Sequence, residues 1–235
     1  AYTIQAAREG MLGMMMVNAG GSGQWVAPFG GTAGRLATNP ISFAAPRDDG
    51  PPLVVDFATS AVPEGKIRAK LTAGLTVPEG WLIDAHGNPT TNPADLYSSP
   101  RGAIPPFGAA QAHKGYGLSL MVDLFAGALS GAGVCRPDAP HDSDTDGVFL
   151  LAVHTEAFCR SAVFLGRVTQ LVQHVKSSPP ARGFEEVLVP GELEAKCRKN
   201  ALDQGVTLDE GVWNAIRTVL DRLKIPILSS TWNEE

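Results

Sequence analysis

The stretch Leu53-Val54-Val55-Asp56-Phe57-Ala58-Thr59-Ser60 decides how the chain is read. Leu53-Val54-Val55 is apolar and rich in β-branched residues, and Asp48-Asp49-Gly50 is a turn signal just before it. A buried strand is predicted. A carboxylate, Asp56, and two hydroxyls, Thr59 and Ser60, then leave the C-terminal end of that strand. A helix is predicted from Thr59-Ser60 to about Ala73, with Gly74 as its stop. A strand, a polar junction and a helix in that order point to an α/β domain, whose ligands gather at the C-terminal strand edge. Backbone N–H groups at the helix start can bind an anion. A plainer reading stays open: Thr59 or Ser60 only caps the helix, and Asp56 only anchors the loop.

Ala1 to Gly10 reads as the back half of a helix closed by Gly10. No residue at its front can cap it, so the start reads as a cut inside an element; a trimmed terminus that simply frays is the alternative. Met11–Val17 and Ile41–Ala45 are predicted strands, separated by the glycine-rich loop Asn18–Gly34. Trp81–Asp84 reads as a short strand and Gly87-Asn88-Pro89 as a turn. Residues 88–112 form a long loop with one helical turn near Ala94–Tyr97; a loop that long is functional or covers something. Lys114–Ser130 is predicted as a buried helix, because Leu118, Met121, Val122, Phe125 and Leu129 recur at helical spacing. Val148–Val153 reads as a fully apolar strand, and Thr155 as the cap of a helix carrying Phe158, Ala162, Leu165 and Val172. Val187-Leu188-Val189 is a further predicted strand and Glu192–Asp203 a helix. Thr207-Leu208-Asp209-Glu210 fits a capping box for a helix that buries Val212, Ile216, Val219 and Leu223. The elements mix irregularly, without repeats.

The 235 residues allow one large domain or two small ones. With 44% hydrophobic and 18% charged residues, a sizeable core is expected. Lys+Arg is 19 and Asp+Glu is 24, a net charge of −5, which argues against nucleic acid or an anionic membrane as partner. Aromatics at 7% argue against a stacking platform for single strands. The apolar stretch Leu118–Val134 contains Asp123 and is shorter than the ~20 residues of a spanning helix. Cys135, Cys159 and Cys197 are odd in number and form no C-x-x-C, so reduced thiols in the cytoplasm are expected.

The dinucleotide fingerprint G-x-G-x-x-G is absent; Gly131-Ala132-Gly133 lacks the third glycine and follows a helix. No Walker A sequence and no G-x-S-x-G occur. Any nucleotide is therefore held in a way other than Rossmann's. Two junctions join the first as candidates. His113-Lys114-Gly115-Tyr116-Gly117 places a cation at a helix start, against the macrodipole, which suits a phosphate or carboxylate ligand; a solvated lysine between flexible glycines is the alternative. Pro190-Gly191-Glu192-Leu193 turns a strand tightly into a helix, and a simple helix start is its alternative. His86, His113, His141, His154 and His174 show no metal spacing. His141 with Asp142, Asp144 and Asp146 lacks the glycine and closing glutamate of an EF-hand loop and reads as solvated.

Several motifs then follow one another in order: Gly34-Arg35-Leu36-Ala37-Thr38-Asn39-Pro40, Val55–Ser60 with Gly65-Lys66-Ile67, and Pro78-Glu79-Gly80-Trp81. Asp84 with Gly87-Asn88-Pro89-Thr90-Thr91, His113–Leu118 and Pro190-Gly191-Glu192 continue the series. The series resembles the malate/L-lactate dehydrogenase family of NAD(P)-dependent oxidoreductases. This is a non-Rossmann family with ureidoglycolate, sulfolactate and diketogulonate-type members. The resemblance runs through essentially all 235 residues, to Val212-Trp213.

The resemblance implies an α/β, irregular mixed-sheet NAD(P)-binding fold. Residues 1–235 would be a cofactor-binding core with C-terminal helices, lacking the family's N-terminal region. It implies hydride transfer between NAD or NADP and a small 2-hydroxy or 2-oxo acid; some relatives reduce cyclic imino acids. The cofactor contacts fall on Asp56, Phe57, Ala58, Thr59, Ser60, Ala61 and Val62, on His113 and Lys114, and on Gly191, Glu192 and Leu193. A cytoplasmic homodimer is expected. The family's catalytic histidine, in a Ser-His-Gly motif, and an arginine for the substrate carboxylate fall before Ala1. No catalytic residue is therefore assigned within the chain, and a non-catalytic nucleotide-binding or interaction domain is the alternative. Ala37 stands where glycine is more usual before Thr38-Asn39-Pro40.

Overall fold

The methionine-rich run Met11–Asn18 becomes the strand on which the fold is built. In the computed structural model, residues 1–19, 23–138, 146–208 and 210–226 are described. In chain order the elements are α1 (Tyr2–Arg8), β1 (Met11–Asn18), β2 (Pro40–Ala45), β3 (Leu53–Ala58), α2 (Glu64–Thr72), β4 (Leu82–Ile83) and β5 (Pro89–Thr90). There follow α3 (Ala112–Val122), a π-helical segment Asp123–Ala128, β6 (Gly147–His154), α4 (Ser161–Lys176), α5 (Glu192–Gln204) and α6 (Glu210–Leu223). Two compact units result, Ala1–Glu192 and Leu193–Glu235.

The first unit holds a four-stranded sheet in the order β3-β2-β1-β6, with every neighbouring pair antiparallel. Register places Met16 opposite Ile41 and Phe149, and Ile41 opposite Phe57. Opposed residues share a face, and this face meets Val122 and Ala126 in one buried cluster. The other face receives α1, where the Thr3 and Ser42 hydroxyls lie 2.9 Å apart. A Cβ at Gly13 would come 2.9 Å from the Thr3 backbone, so the helix can lie on the sheet only over a glycine. A second cluster, including Val26, Val62, Ile67, Leu82, Leu96 and Ile104, gathers the loops around α2 and the β4–β5 hairpin. Leu96 and Ile104 are wholly buried, so the long loop over 88–112 does cover a core of its own.

The non-Rossmann α/β reading stands, and the strands at 11, 41 and 53 lie where they were expected. Gly10 closes α1 at φ +76°. Several details differ. α2 starts at Glu64 instead of Thr59, because the chain runs on through Pro63, which precedes the first helical residue. α3 buries its small and polar side, Ala112, Gly115, Ser119 and Val122, with Asp123 and Ala126 beyond. Leu118, Met121, Phe125 and Leu129, expected inside, are exposed. Close approach of the helix to the sheet selects small residues, which a count of large apolar positions misses. β6 lies at the sheet edge, and its Val148, Leu150 and Leu151 are exposed.

Thr155 caps no long helix. It starts a short 3-10 turn, its buried hydroxyl donates to the Gly10 carbonyl at 3.1 Å, and α4 begins at Ser161. Val187–Val189, expected as a strand, forms none among the described residues. In the second unit Val212, Ile216, Val219 and Leu223 are exposed, since an amphipathic stripe is buried only against a second apolar surface. Part of the expected acidic loop, His141 with Asp142 and Asp144, lies outside the described residues, as does Asp209 of the expected capping box.

Candidate cofactor site

β3 carries the first junction. Asp56 is exposed at its far end, while Thr59 just beyond is fully buried. The Thr59 hydroxyl donates to the Asn39 carbonyl at 2.9 Å and to the Thr38 carbonyl at 3.2 Å, and its N–H donates to the Thr38 carbonyl at 3.0 Å. The Ser60 hydroxyl donates to the Val62 carbonyl at 2.8 Å. Both hydroxyls are thus held by backbone carbonyls, and they shape the turn from within. Val62 is buried in the second cluster. The accessible members are Asp56, Phe57, Ala58 and Ala61.

The start of α2 does not serve as the anion site that was expected at this junction. Glu64 occupies its first turn, paired to Arg68 at 2.9 Å, and accepts the Tyr97 hydroxyl. A carboxylate there already satisfies the positive helix end and repels a second anion. The main sheet is also antiparallel, so its strand ends alternate. The shared C-terminal edge that collects ligands in parallel α/β sheets does not exist in it.

Phe107 joins the first junction to the second. Its N–H donates to the Thr59 carbonyl at 2.9 Å, and the Ala61 N–H donates to the Pro105 carbonyl at 2.8 Å. The Phe57 and Phe107 ring centroids lie 5.6 Å apart. A Cβ at Gly115 would stand 2.2 Å from the Phe107 carbonyl oxygen, so α3 can lie this close only because residue 115 is glycine. His113 and Lys114 occupy the first turn of α3 and are exposed. That turn has no side-chain cap and no acidic residue. Lys114 forms no ion pair with any described residue. His113 meets Phe29 edge-on at 5.7 Å.

The third junction lies at the opposite end of β3. The Val54 N–H donates to the Pro190 carbonyl at 3.1 Å. Gly191 has φ +95°, and a Cβ there would crowd the Pro52 carbonyl oxygen at 3.0 Å. From Val54 to Thr59 is about 16 Å of extended chain. The Glu192 carboxylate receives Arg47 Nη1 at 3.0 Å, Lys176 Nζ at 2.7 Å and the Val189 N–H at 3.1 Å. Burial pushes its pKa up, but Lys176, Arg47 and the Val189 N–H outweigh burial and bring it down to about 2. Leu193 is exposed and opens the second unit. The structure therefore brings Asp56–Val62 and His113-Lys114 together, and leaves Gly191-Glu192 at the far end of the strand.

Sequence reasoning gave no role to Asn18, Asn39 and Asp123, which form a buried polar cluster between β1, the segment just before β2 and the end of α3. Asp123 accepts hydrogen bonds from Asn18 Nδ2, from Asn39 Nδ2 at 3.4 Å and from the Cys135 N–H at 3.0 Å. Asn39 Nδ2 also donates to the Ser119 carbonyl and hydroxyl at 3.1 and 3.2 Å. Asn39 is fully buried in a left-handed conformation, φ +39°, and its Oδ1 has no hydrogen-bond partner among the described residues. The available signals were a carboxylate inside an apolar run and an asparagine before proline. Among the described residues no three His, Cys, Asp or Glu side chains come together as a metal site.

Comparison with known proteins gives a consistent picture. The family model for malate/L-lactate dehydrogenase matches residues 1–217. The L-lactate dehydrogenase of Cupriavidus necator is 36% identical over 228 residues, 96% of this chain and 64% of the relative. The Δ1-pyrroline-2-carboxylate reductase 1 of Burkholderia ambifaria is 36% identical over 219 residues, 92% of this chain and 61% of the relative. The solved malate dehydrogenase of Pyrococcus horikoshii superposes with a TM-score of 0.81 at 32% identity, covering 97% of this chain and 62% of that one. The chain thus spans a little under two thirds of the length of the relatives it matches.

Proposed function

The chain belongs to the malate/L-lactate dehydrogenase family, and on that premise we propose that it forms the nicotinamide-nucleotide-binding core of an oxidoreductase. The reaction is the interconversion of a small 2-hydroxy acid and its 2-oxo acid. The observation that carries this reading is Lys114: an exposed cation without an ion partner among the described residues, in an uncapped helix start, joined through Phe107 to the end of β3.

The donor set fits a dinucleotide. Lys114 and the first-turn N–H groups of α3 suit phosphate charge, and His113 adds a polar ring beside them. Asp56, exposed, can accept a hydrogen bond from a ribose hydroxyl. Phe57, Ala58 and Ala61 offer apolar surface, while Thr59, Ser60 and Val62 hold that backbone from below. Gly191, Glu192 and Leu193 would contribute through the backbone, because the Glu192 carboxylate is already taken. When bound, NAD or NADP supplies the hydride acceptor or donor. No residue within 1–235 is assigned as the proton donor. A homodimer in the cytoplasm is part of the reading; among the described residues, no helix is long and apolar enough to cross a membrane.

Fluorescence titration with NADH and with NADPH tests the proposal, with saturable binding of at least one expected. Failure of both to bind overturns it. Turnover of a 2-oxo acid above a buffer control separates the enzyme from a domain that only binds nucleotide.

A further inference from the structure

We propose that Asn39 is a positioning residue, which fastens the end of β3 to α3 and so sets the two halves of the cofactor site in register. The inference rests on the nicotinamide reading above and adds a residue to it. The carboxamide of Asn39 reaches α3, donating to Ser119 at 3.1 and 3.2 Å and to Asp123 at 3.4 Å. Its main-chain carbonyl faces the other way and receives the Thr59 hydroxyl at 2.9 Å. The Thr59 carbonyl in turn accepts the Phe107 N–H, and Phe107 lies against Gly115 of α3. The path leaves α3 at Ser119, passes through Asn39, Thr59 and Phe107, and returns to α3 at Gly115. Asp56–Val62 sits on one arm of this ring and His113-Lys114 just outside the other.

The conformation of Asn39 supports a positioning role. A non-glycine residue at φ +39° is uncommon, asparagine tolerates it best, and such outliers persist only where the surroundings over-determine them. Asn39 is wholly buried, so no ligand touches it. It acts through Thr59. Among the described residues the buried Oδ1 has no hydrogen-bond partner. The orientation that satisfies Ser119 and Asp123 is kept at its expense.

The test compares the wild type with Thr59→Val, Thr59→Ser and Asn39→Asp, measuring NADH and NADPH Kd by fluorescence and the ligand-free Tm of each. Thr59→Val keeps the shape and removes the donor. Its cofactor Kd is expected to rise about tenfold, the effect of one buried hydrogen bond left unmade. Thr59→Ser, which keeps the donor, restores binding to within about threefold. Asn39→Asp keeps size and tolerates the backbone, but sets a carboxylate against Asp123, and its Kd rises at least as far. A bond that only stabilises the fold would lower Tm in Thr59→Val and leave Kd unmoved; that result overturns the proposal. If Asn39→Asp does not fold, Thr59→Val decides alone. A wild type that binds neither nucleotide removes the cofactor reading and this inference with it. A wild type that binds, beside a Thr59→Val variant that binds equally well, removes only the inference.

Discussion

Arg47 Nη1 lies 3.0 Å from Glu192 Oε1, tying the turn after β2 to the start of α5 across 145 positions of sequence. Both side chains are well buried, and Lys176 closes on the second carboxylate oxygen at 2.7 Å. Glu192 stays ionised in the folded chain down to about pH 2, whereas an ordinary glutamate takes its proton near 4.5. The folded state therefore binds fewer protons over that window, and stability falls as pH falls through it. The contribution is complete above about pH 5 and gone near pH 2, with a size on the order of 3 kcal/mol. Urea unfolding at pH 7, 4 and 3 measures it. Glu192→Gln should lose stability at pH 7 and show a flatter acid limb; equal pH slopes in the two proteins would count against the assignment.

Lys114→Ala should separate binding from stability. Cofactor Kd rises about tenfold, as for a lost charge-assisted hydrogen bond. The ligand-free Tm stays level or rises slightly, since a cation has been removed from a helix N-terminus. An unchanged Kd removes Lys114 from the site.

Two glycines of α3 should respond with opposite signs. Gly115→Ala drives a methyl group to 2.2 Å from the Phe107 carbonyl oxygen, which is backbone and cannot swing away. A loss of about 1–3 kcal/mol is expected, with weaker cofactor binding as the helix is pushed off Phe107. Gly117→Ala meets nothing within 4 Å and should stabilise the helix by up to about 1 kcal/mol. Chemical denaturation of both variants checks the contrast.

The cysteines should differ in reactivity. Burial, reinforced by the Asp123 carboxylate, pushes the Cys135 thiol up to about 12, so its thiolate is scarce at neutral pH. Cys197 is exposed. Iodoacetamide at pH 7.5 followed by peptide mass mapping should find Cys197 alkylated first and Cys135 protected until denaturant is added. Equal labelling rates would contradict the burial.

The four strands of the main sheet were legible because each is a short apolar run cut off by glycine, proline or an acidic turn, and β3 shows this best; β5, Pro89–Thr90, was read as a turn. The candidate contacts at 56–62 and 113–114 were legible as polar junctions between such runs. What joins them was not. Phe107 sits in a proline- and glycine-rich segment with no periodicity, and its role arises from a backbone hydrogen bond that any residue but proline can make. Asn39 looked like one letter in a motif, because its conformation and its contacts 80 residues away belong to tertiary structure. The outward Leu118 and Met121 misled for a related reason. Helical spacing finds the apolar stripe, while closeness to the sheet decides which side goes in, and closeness favours Gly115 and Ser119.

The pairing of β1 with β6 has a consequence for how the chain is made. Asn18 is matched with Gly147, so the two partners leave the ribosome about 130 residues apart. At typical synthesis rates that gap lasts on the order of ten seconds. β2 and β3 can settle on one side of β1 early, while Met14, Met15 and Met16 wait with the other edge bare. A strand held open that long is a template for mispairing. Contacts of such sequence separation also slow spontaneous folding. The last strand to arrive is therefore the one that closes the sheet, and nascent chains stalled before Gly147 should be the ones that chaperones retain.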